Sequence, residues 1–373
     1  MSVKIFIAGD IVNTKNEEEF IDSKIKKIIR NQDYAICNFE APIENSGNKI
    51  LKAGPNIFQK KNTIPILKRS GFNLLLLANN HIFDFGEKGL LDTITYAKKN
   101  DLDVVGAGLN YTEAYKSKII KIKDLRICII NACELQFGAI TDISAEKAGY
   151  AWINHPLLEK EILENRESVD KIIVCIHAGL ENYETPLEEW KKRYRQLCDI
   201  GADCIVASHP HVPQGYEKHN GKLIFYSLGN FYFDTESFAN SSDNSYSIIL
   251  ELKNEEIDFT PIFHYKLKDK VMLQSVPCEK LDLRRLNSLI NNQEEIENTY
   301  LQAFNNDVSR LYHSIYNSYY KDSFRSFIRK SLYKIYTPKK IKIRKNVLLQ
   351  HLTRNETYRY VTYKGIKIQN IYY

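Results

Sequence analysis

Two histidines one residue apart, His209 and His211, close an apolar run at 204–207 that starts just after Gly201. A short apolar run bounded by Gly and Pro reads as a buried strand. On a regular strand the two rings would share a face. Pro210 fixes one dihedral between them and bends the path, so both imidazoles can approach one point. Imidazole is the commonest metal ligand near neutral pH. The same motif also suits surface-loop histidines, and the rest of the chain has to decide. Other strand-like runs deliver ligand atoms at their ends: Asp10 after 4–9, Glu40 after 33–39, Asn80 and His81 after 73–78, His177 after 171–176. In an open α/β sheet, functional side chains gather at the carboxyl ends of strands. Singly, each has an ordinary use: Gly9-Asp10 as a turn, Asn79-Asn80-His81 as a helix cap, His177 as a core histidine. Together they read as one metal centre. Two divalent cations about 3.5–4 Å apart need a bridging carboxylate and mixed oxygen and imidazole ligands. Such a pair polarises a phosphoryl or carbonyl oxygen and generates hydroxide near neutral pH. A nearby histidine off the metal can protonate the leaving group.

The elements that must position these residues alternate between strand and helix. A helical period from about 17 to 30 puts Phe20, Ile21, Ile25, Ile28 and Ile29 on one side. Residues 63–70 form a short helix closed by Gly71, and another helix runs to about Asn100. Strands follow at 103–105 and 127–130, with 106–108 as a turn between them; 188–199 is helical and 222–230 is a strand. The alternating runs in 244–273 read as antiparallel strands. From Cys278 the pattern changes to long helical periods, which sets a boundary near 275 and two parts, 1–275 and 276–373.

The chain has 373 residues, 43% hydrophobic and 26% charged, as expected of a globular protein with a sizeable core. No apolar window is long enough for a membrane span and no leader is legible, which sets the expectation of a cytoplasmic protein. The seven Cys include no CxxC pair and sit mostly in apolar runs, as reduced, buried thiols do. Charge is uneven: from Tyr320 onward there are 14 Lys and Arg against 2 Asp and Glu. Such a tail suits an anionic polymer or a membrane face, or is simply a solvated helix surface. Tyr and Arg alternate in 357–364, a pattern that also suits an edge strand; no nucleic-acid module accompanies it, and nucleic acid is not an expected partner.

The ordered blocks Gly9-Asp10, Asn38-Phe39-Glu40-Ala41-Pro42, residues 49–55, Asn79-Asn80-His81 with Asp84, residues 177–183, residues 201–217 and 226–231 resemble the CapA family of capsule and poly-gamma-glutamate synthesis proteins. That family is related to calcineurin-like metallophosphoesterases. The resemblance covers about 3–235. It implies a four-layer α/β/β/α metallophosphoesterase-like sandwich, here with a helical C-terminal extension. It implies one or two divalent ions (Mn, Fe or Zn), with Asp10 and His211 on one, Asn80, His177 and His209 on the other, and Glu40 bridging. His81 would be the general acid, oriented by Asp84. Lys49 and Lys52 would hold an anionic substrate, with Glu181 at the same rim. The chain departs from phosphoesterases in having Val12 where a metal-binding His is usual and Glu rather than Asp as the bridge. Lys52 stands where Arg is usual, which loses bidentate recognition. The amino-terminal anchor of many relatives is not seen.

The expected function is metal-dependent hydrolysis of a phosphoester or amide in a surface polymer or its precursor. The alternative is a non-catalytic component of a polymer synthesis or export assembly that docks through the basic C-terminal region to membrane or polymer. The presence of His81 and Asp84 beside the ligands favours the hydrolase, because a scaffold has no use for them.

Overall fold

The computed structural model describes residues 2–15, 18–144, 146–234, 244–254, 256–274, 281–312 and 339–371. The first half runs β1 (Val3–Val12), α1 (Ser23–Arg30), β2 (Tyr34–Phe39), α2 (Thr63–Ser70), β3 (Leu74–Leu76), α3 (Gly86–Lys99), β4 (Asp103–Val105), β5 (Ala107–Gly108), α4 (Tyr111–Tyr115), β6 (Lys118–Ile122), β7 (Leu125–Cys133), β8 (Ala139–Ile140) and β9 (Gly149–Ala151). It continues with α5 (Pro156–Arg166), β10 (Lys171–His177), α6 (Glu188–Ile200), β11 (Cys204–Ser208), β12 (Tyr216–His219), β13 (Lys222–Phe225), β14 (Asn230–Phe233), β15 (Asn244–Leu252), β16 (Ile257–Leu267) and β17 (Lys270–Leu273). Helices α7 (Leu283–Leu289), α8 (Gln293–Ala303), α9 (Lys339–Arg354) and α10 (Glu356–Ile371) close the chain.

Two sheets stack face to face. The larger has the order β17-β16-β15-β1-β2-β3-β4, with β14 also pairing β1; the other is β12-β13-β11-β10-β7-β6. Strands β1, β2, β3 and β4 are parallel neighbours, as are β7, β10, β11 and β13. Parallel neighbours need crossovers, and the helices between them cover the outer faces. Alternate side chains then meet different layers. Ile5 and Ile7 of β1 join Ile173 and Val206 of the second sheet in the central core, while Phe6 and Ala8 face Ile25 and Ile29 of α1. In the same way Val174 and Ile176 of β10 pack on Trp190 and Tyr194 of α6. Both faces of each central strand are buried, which is why these strands read as continuous apolar runs. The result is the expected α/β/β/α layering.

The C-terminal helices pack onto the same core: Tyr300 of α8 and Val361 and Ile368 of α10 lie in one apolar cluster with α6. Residues 357–364 belong to α10 and not to an edge strand, since Val361 and Ile368 fall at helical spacing against α8. Helix α1 starts at Ser23, capped by the Asp22 carboxylate, which accepts from the Lys24 amide at 2.8 Å. Phe20 and Ile21 are therefore not on it. Their backbone is taken up by the sheet edge instead, where the Val271 amide donates to the Phe20 carbonyl at 2.8 Å. Residues 106–108 are not only a turn, because Ala107 and Gly108 pair with β9. Glu17, the boundary near 275, Cys278 and the stretch 320–338 of the basic tail lie outside the described residues. The cysteines at 37, 128, 133, 175, 198 and 204 are free and buried. Among the described residues no helix is long and apolar enough to cross a membrane.

Candidate metal centre

The parallel strands of both sheets end at one edge. Asp10 sits in β1 where the register with β2 slips, opposite Asn38 on one side and Asn230 of β14 on the other. Gly9 makes this possible: a Cβ there would meet the Gly229 carbonyl oxygen at 1.9 Å. His177 ends β10, level with Ser208 of β11 and Cys133 of β7. The turn after β11 bends in the histidines themselves as well as at Pro210: His209 has φ +104° and His211 φ +60°. Positive φ is uncommon for a residue with a Cβ and marks a constrained position.

These bends bring the rings and carboxyls together. Oδ1 of Asp10 lies 3.7 Å from Nδ1 of His177, and Oδ2 lies 3.6 Å from Nδ1 of His211. Oε1 of Glu40 is 3.4 Å from Nε2 of His177 and 3.9 Å from Nε2 of His211. Oδ1 of Asn80 is 3.1 Å from Nε2 of His177. Two ligand-capable triads result, Glu40-His177-His209 and Asp10-Glu40-His211, and they share Glu40. A third, Glu181-His209-His211, lies at the rim.

Asp10, Glu40, His177, His209 and His211 are buried, and some of their polar atoms are not satisfied. Both oxygens of Glu40 and Nδ1 of His209 are buried without a hydrogen-bond partner among the described residues. Burial, then the carboxyls of Asp10 and Glu181, push Glu40 well above the usual carboxylate range. Burial raises Asp10 to about 6, against hydrogen bonds from Asn38 and the His209 amide. Burial and the neighbouring His209 lower His211 to about 3, and burial with His209 and His211 holds His177 well below its ordinary value. Near neutral pH these two rings are therefore uncharged. The buried carboxyls of Asp10 and Glu40 face these two neutral rings, and a buried carboxylate is costly unless it is paired. The donor set, carboxylate oxygen with imidazole nitrogen, fits a divalent metal ion.

Beside this group lies a second cluster. Nδ1 of His81 is 2.7 Å from Oδ2 of Asp84, which also accepts the Ile57 amide at 2.7 Å. Lys52 donates to Oδ1 of Asp84 and its Nζ is 3.1 Å from Nδ1 of His81. Glu181 reaches to 3.8 Å from Nε2 of His209. A cleft of about 420 Å³ opens here, lined by Lys52, Asn80, His81, Gln136 and Glu181 and by His351, Asn355 and Tyr358 of the C-terminal helices. Lys49 is exposed and does not line it.

A family model for bacterial capsule synthesis proteins, PGA_cap, matches residues 5–235. The chain belongs to this family. It is 32% identical over 243 residues to the capsule biosynthesis protein CapA of Bacillus anthracis, covering 61% of this chain and 59% of that protein. To the PGA biosynthesis protein CapA of Bacillus subtilis it is 33% identical over 243 residues, covering 61% and 62%. The chain thus spans about 60% of the length of the curated relatives it matches. Among solved structures, a hypothetical protein from Thermus thermophilus is similar at 15% identity and a TM-score of 0.46, over 71% of this chain and 100% of that one. The NAD nucleotidase of Haemophilus influenzae is similar at 12% identity and a TM-score of 0.41, over 81% and 61%.

Within the PGA_cap segment, three residues at the centre went unassigned in the sequence. Asn38 donates to Oδ1 of Asp10 at 2.6 Å and lies 3.0 Å from Nδ1 of His177. Glu134 places Oε1 3.2 Å from Nε2 of His209. Asn230 places Oδ1 2.9 Å from Nδ1 of His211. Asn38 and Glu134 stand at or just past the carboxyl ends of β2 and β7, so the rule that found the candidate ligands could have found them too; Asn230 opens β14, and that rule does not reach it.

Proposed function

We propose that this chain is a metal-dependent hydrolase of capsule polymer synthesis, acting on a phosphoester or amide in an anionic surface polymer (poly-gamma-glutamate or a polysaccharide) or in its precursor. The observation that carries it is the Glu40 carboxylate, buried without a hydrogen-bond partner among the described residues, beside three histidines and a second carboxyl. The biosynthetic setting rests on the family and on what its relatives are named for.

Asp10 and His211 would hold one cation and Asn80, His177 and His209 another, with Glu40 between; manganese, iron and zinc all suit such ligands. The cations, when bound, supply Lewis acidity toward a phosphoryl or carbonyl oxygen. His81 holds or delivers a proton at Nε2, because Asp84 takes the Nδ1 hydrogen. Burial and the Lys52 ammonium lower His81, so the acid role needs the negative charge of a substrate beside it. Lys52 and Glu181 line the cleft where that substrate would lie. The basic residues from Tyr320 onward are the part of the chain suited to an anionic polymer or membrane face.

Metal analysis of the purified chain, before and after His209→Ala, tests the centre. Turnover of bis(p-nitrophenyl) phosphate and of a gamma-glutamyl amide with added Mn²⁺ tests the hydrolase. Metal bound without turnover of either would favour a non-catalytic part in a synthesis assembly.

A further inference from the structure

Helix α10 lies far beyond the segment that the family model matches, yet its first turn is plugged into the centre. Asn355, Glu356 and Thr357 are all buried. The Glu356 carboxylate accepts from the Leu135 amide at 2.8 Å, from Nε1 of Trp152 at 3.0 Å and from Nδ2 of Asn154 at 2.8 Å. Three donors for one buried carboxylate anchor the helix to the segment after β7. Next to this anchor, the Thr357 hydroxyl accepts from Nε1 of Trp190 at 2.9 Å and donates to Oε2 of Glu134. The other oxygen of Glu134 accepts from Nε2 of Gln136 at 2.7 Å and faces Nε2 of His209 at 3.2 Å.

That last contact sets the orientation of His209. With Nε2 facing the Glu134 carboxyl, Nδ1 is the ring nitrogen left to ligate. Nδ1 is the ring atom left buried without a partner among the described residues. A carboxylate behind a ligating histidine fixes the ring and makes it a better donor. Glu134 in turn has its orientation set by Gln136 and by Thr357, a residue of the C-terminal hairpin.

We propose that Thr357 is a positioning residue for the metal centre: acting through Glu134, it holds His209 with Nδ1 aimed at the cation, so the C-terminal helices are part of the working site. This rests on the reading of the centre as a metal site. The same pair of helices contributes His351, Asn355 and Tyr358 to the cleft wall, so its docking links the metal and substrate positions.

The test is the Mn²⁺ affinity of the full chain by isothermal titration calorimetry, after chelation and removal of bound metal. Thr357→Val removes the donor and keeps the shape; Thr357→Ser keeps the donor. We expect Thr357→Val to bind Mn²⁺ about tenfold more weakly or worse, with Thr357→Ser near the parent. Glu134→Gln, expected to weaken binding by about 10–100-fold, carries the same test if Thr357→Val does not fold. Parent affinity in folded Thr357→Val and Glu134→Gln overturns the proposal while leaving the centre intact. Equal weakening in the Ser and Val variants also overturns it, because the hydroxyl would then not be the agent. If the parent itself binds no Mn²⁺, the metal reading fails and this inference with it.

Discussion

If Glu40 holds a cation as proposed, it is a residue where function works against stability. Its carboxyl is buried beside Asp10 and finds no hydrogen bond among the described residues. An unsatisfied buried polar group costs about 1–3 kcal/mol, and more when charged. Glu40→Met, similar in volume and apolar, should therefore stabilise the metal-free protein by about that amount and abolish metal binding. Urea unfolding in the presence of a chelator, paired with metal analysis, checks both halves; a less stable variant would mean that Glu40 is already satisfied without a cation. His81 makes the opposite kind of prediction. It stands beside the ligands without belonging to any of the ligand triads. His81→Gln should keep the metal content of the parent and lower turnover by about 10²–10⁴-fold. Loss of metal in that variant would move His81 from proton carrier to ligand.

At the level of strands and helices, the candidate ligands are aimed by where neighbouring strands end and how they are tied. Asn131 of β7 is one such tie: its Oδ1 accepts the Ala78 amide at 2.7 Å and its Nδ2 donates to the Cys175 carbonyl at 3.1 Å, joining the turn after β3 to β10 of the other sheet. A pH dependence belongs to this scale. His264 of β16 is buried against Phe231, 3.1 Å from the Ser247 hydroxyl, and burial lowers it to about 3 from an ordinary 6.5. Between those values the unfolded chain holds a proton that the folded chain does not, so stability falls as pH drops through that window. His264→Gln removes that proton uptake. Its urea midpoint should fall less than the parent's between pH 7 and about pH 4.5, because the substituted side chain no longer titrates there. The comparison cancels the centre's own groups, where Asp10, raised to about 6, acts in the opposite direction. Equal acid sensitivity in the two proteins would show that His264 is not the titrating group.

The described elements pack around the edge where both sheets end, so a cation bound there should stabilise the fold. Free Mn²⁺ at about 100 times its dissociation constant adds about 2.7 kcal/mol to the folded state. We expect a higher melting temperature with Mn²⁺, reversed by chelator and absent in Glu40→Met; a temperature unmoved by Mn²⁺ in the parent would argue against the centre. The sequence by itself determined the alternation of strands and helices and the six ligand candidates Asp10, Glu40, Asn80, His177, His209 and His211, because strand ends and side-chain chemistry are local properties. It placed Lys49 at the substrate, where the loop leaves it exposed, and it started α1 too early, because helical spacing does not reveal that a sheet edge will claim Phe20 and Ile21. Only the tertiary structure decided that Thr357 stands behind Glu134 and His209, and that Asn38 and Asn230 reach Asp10 and His211. Those are contacts between residues far apart in the chain, set by how two sheets and a distant helix pack, and no local pattern carries them.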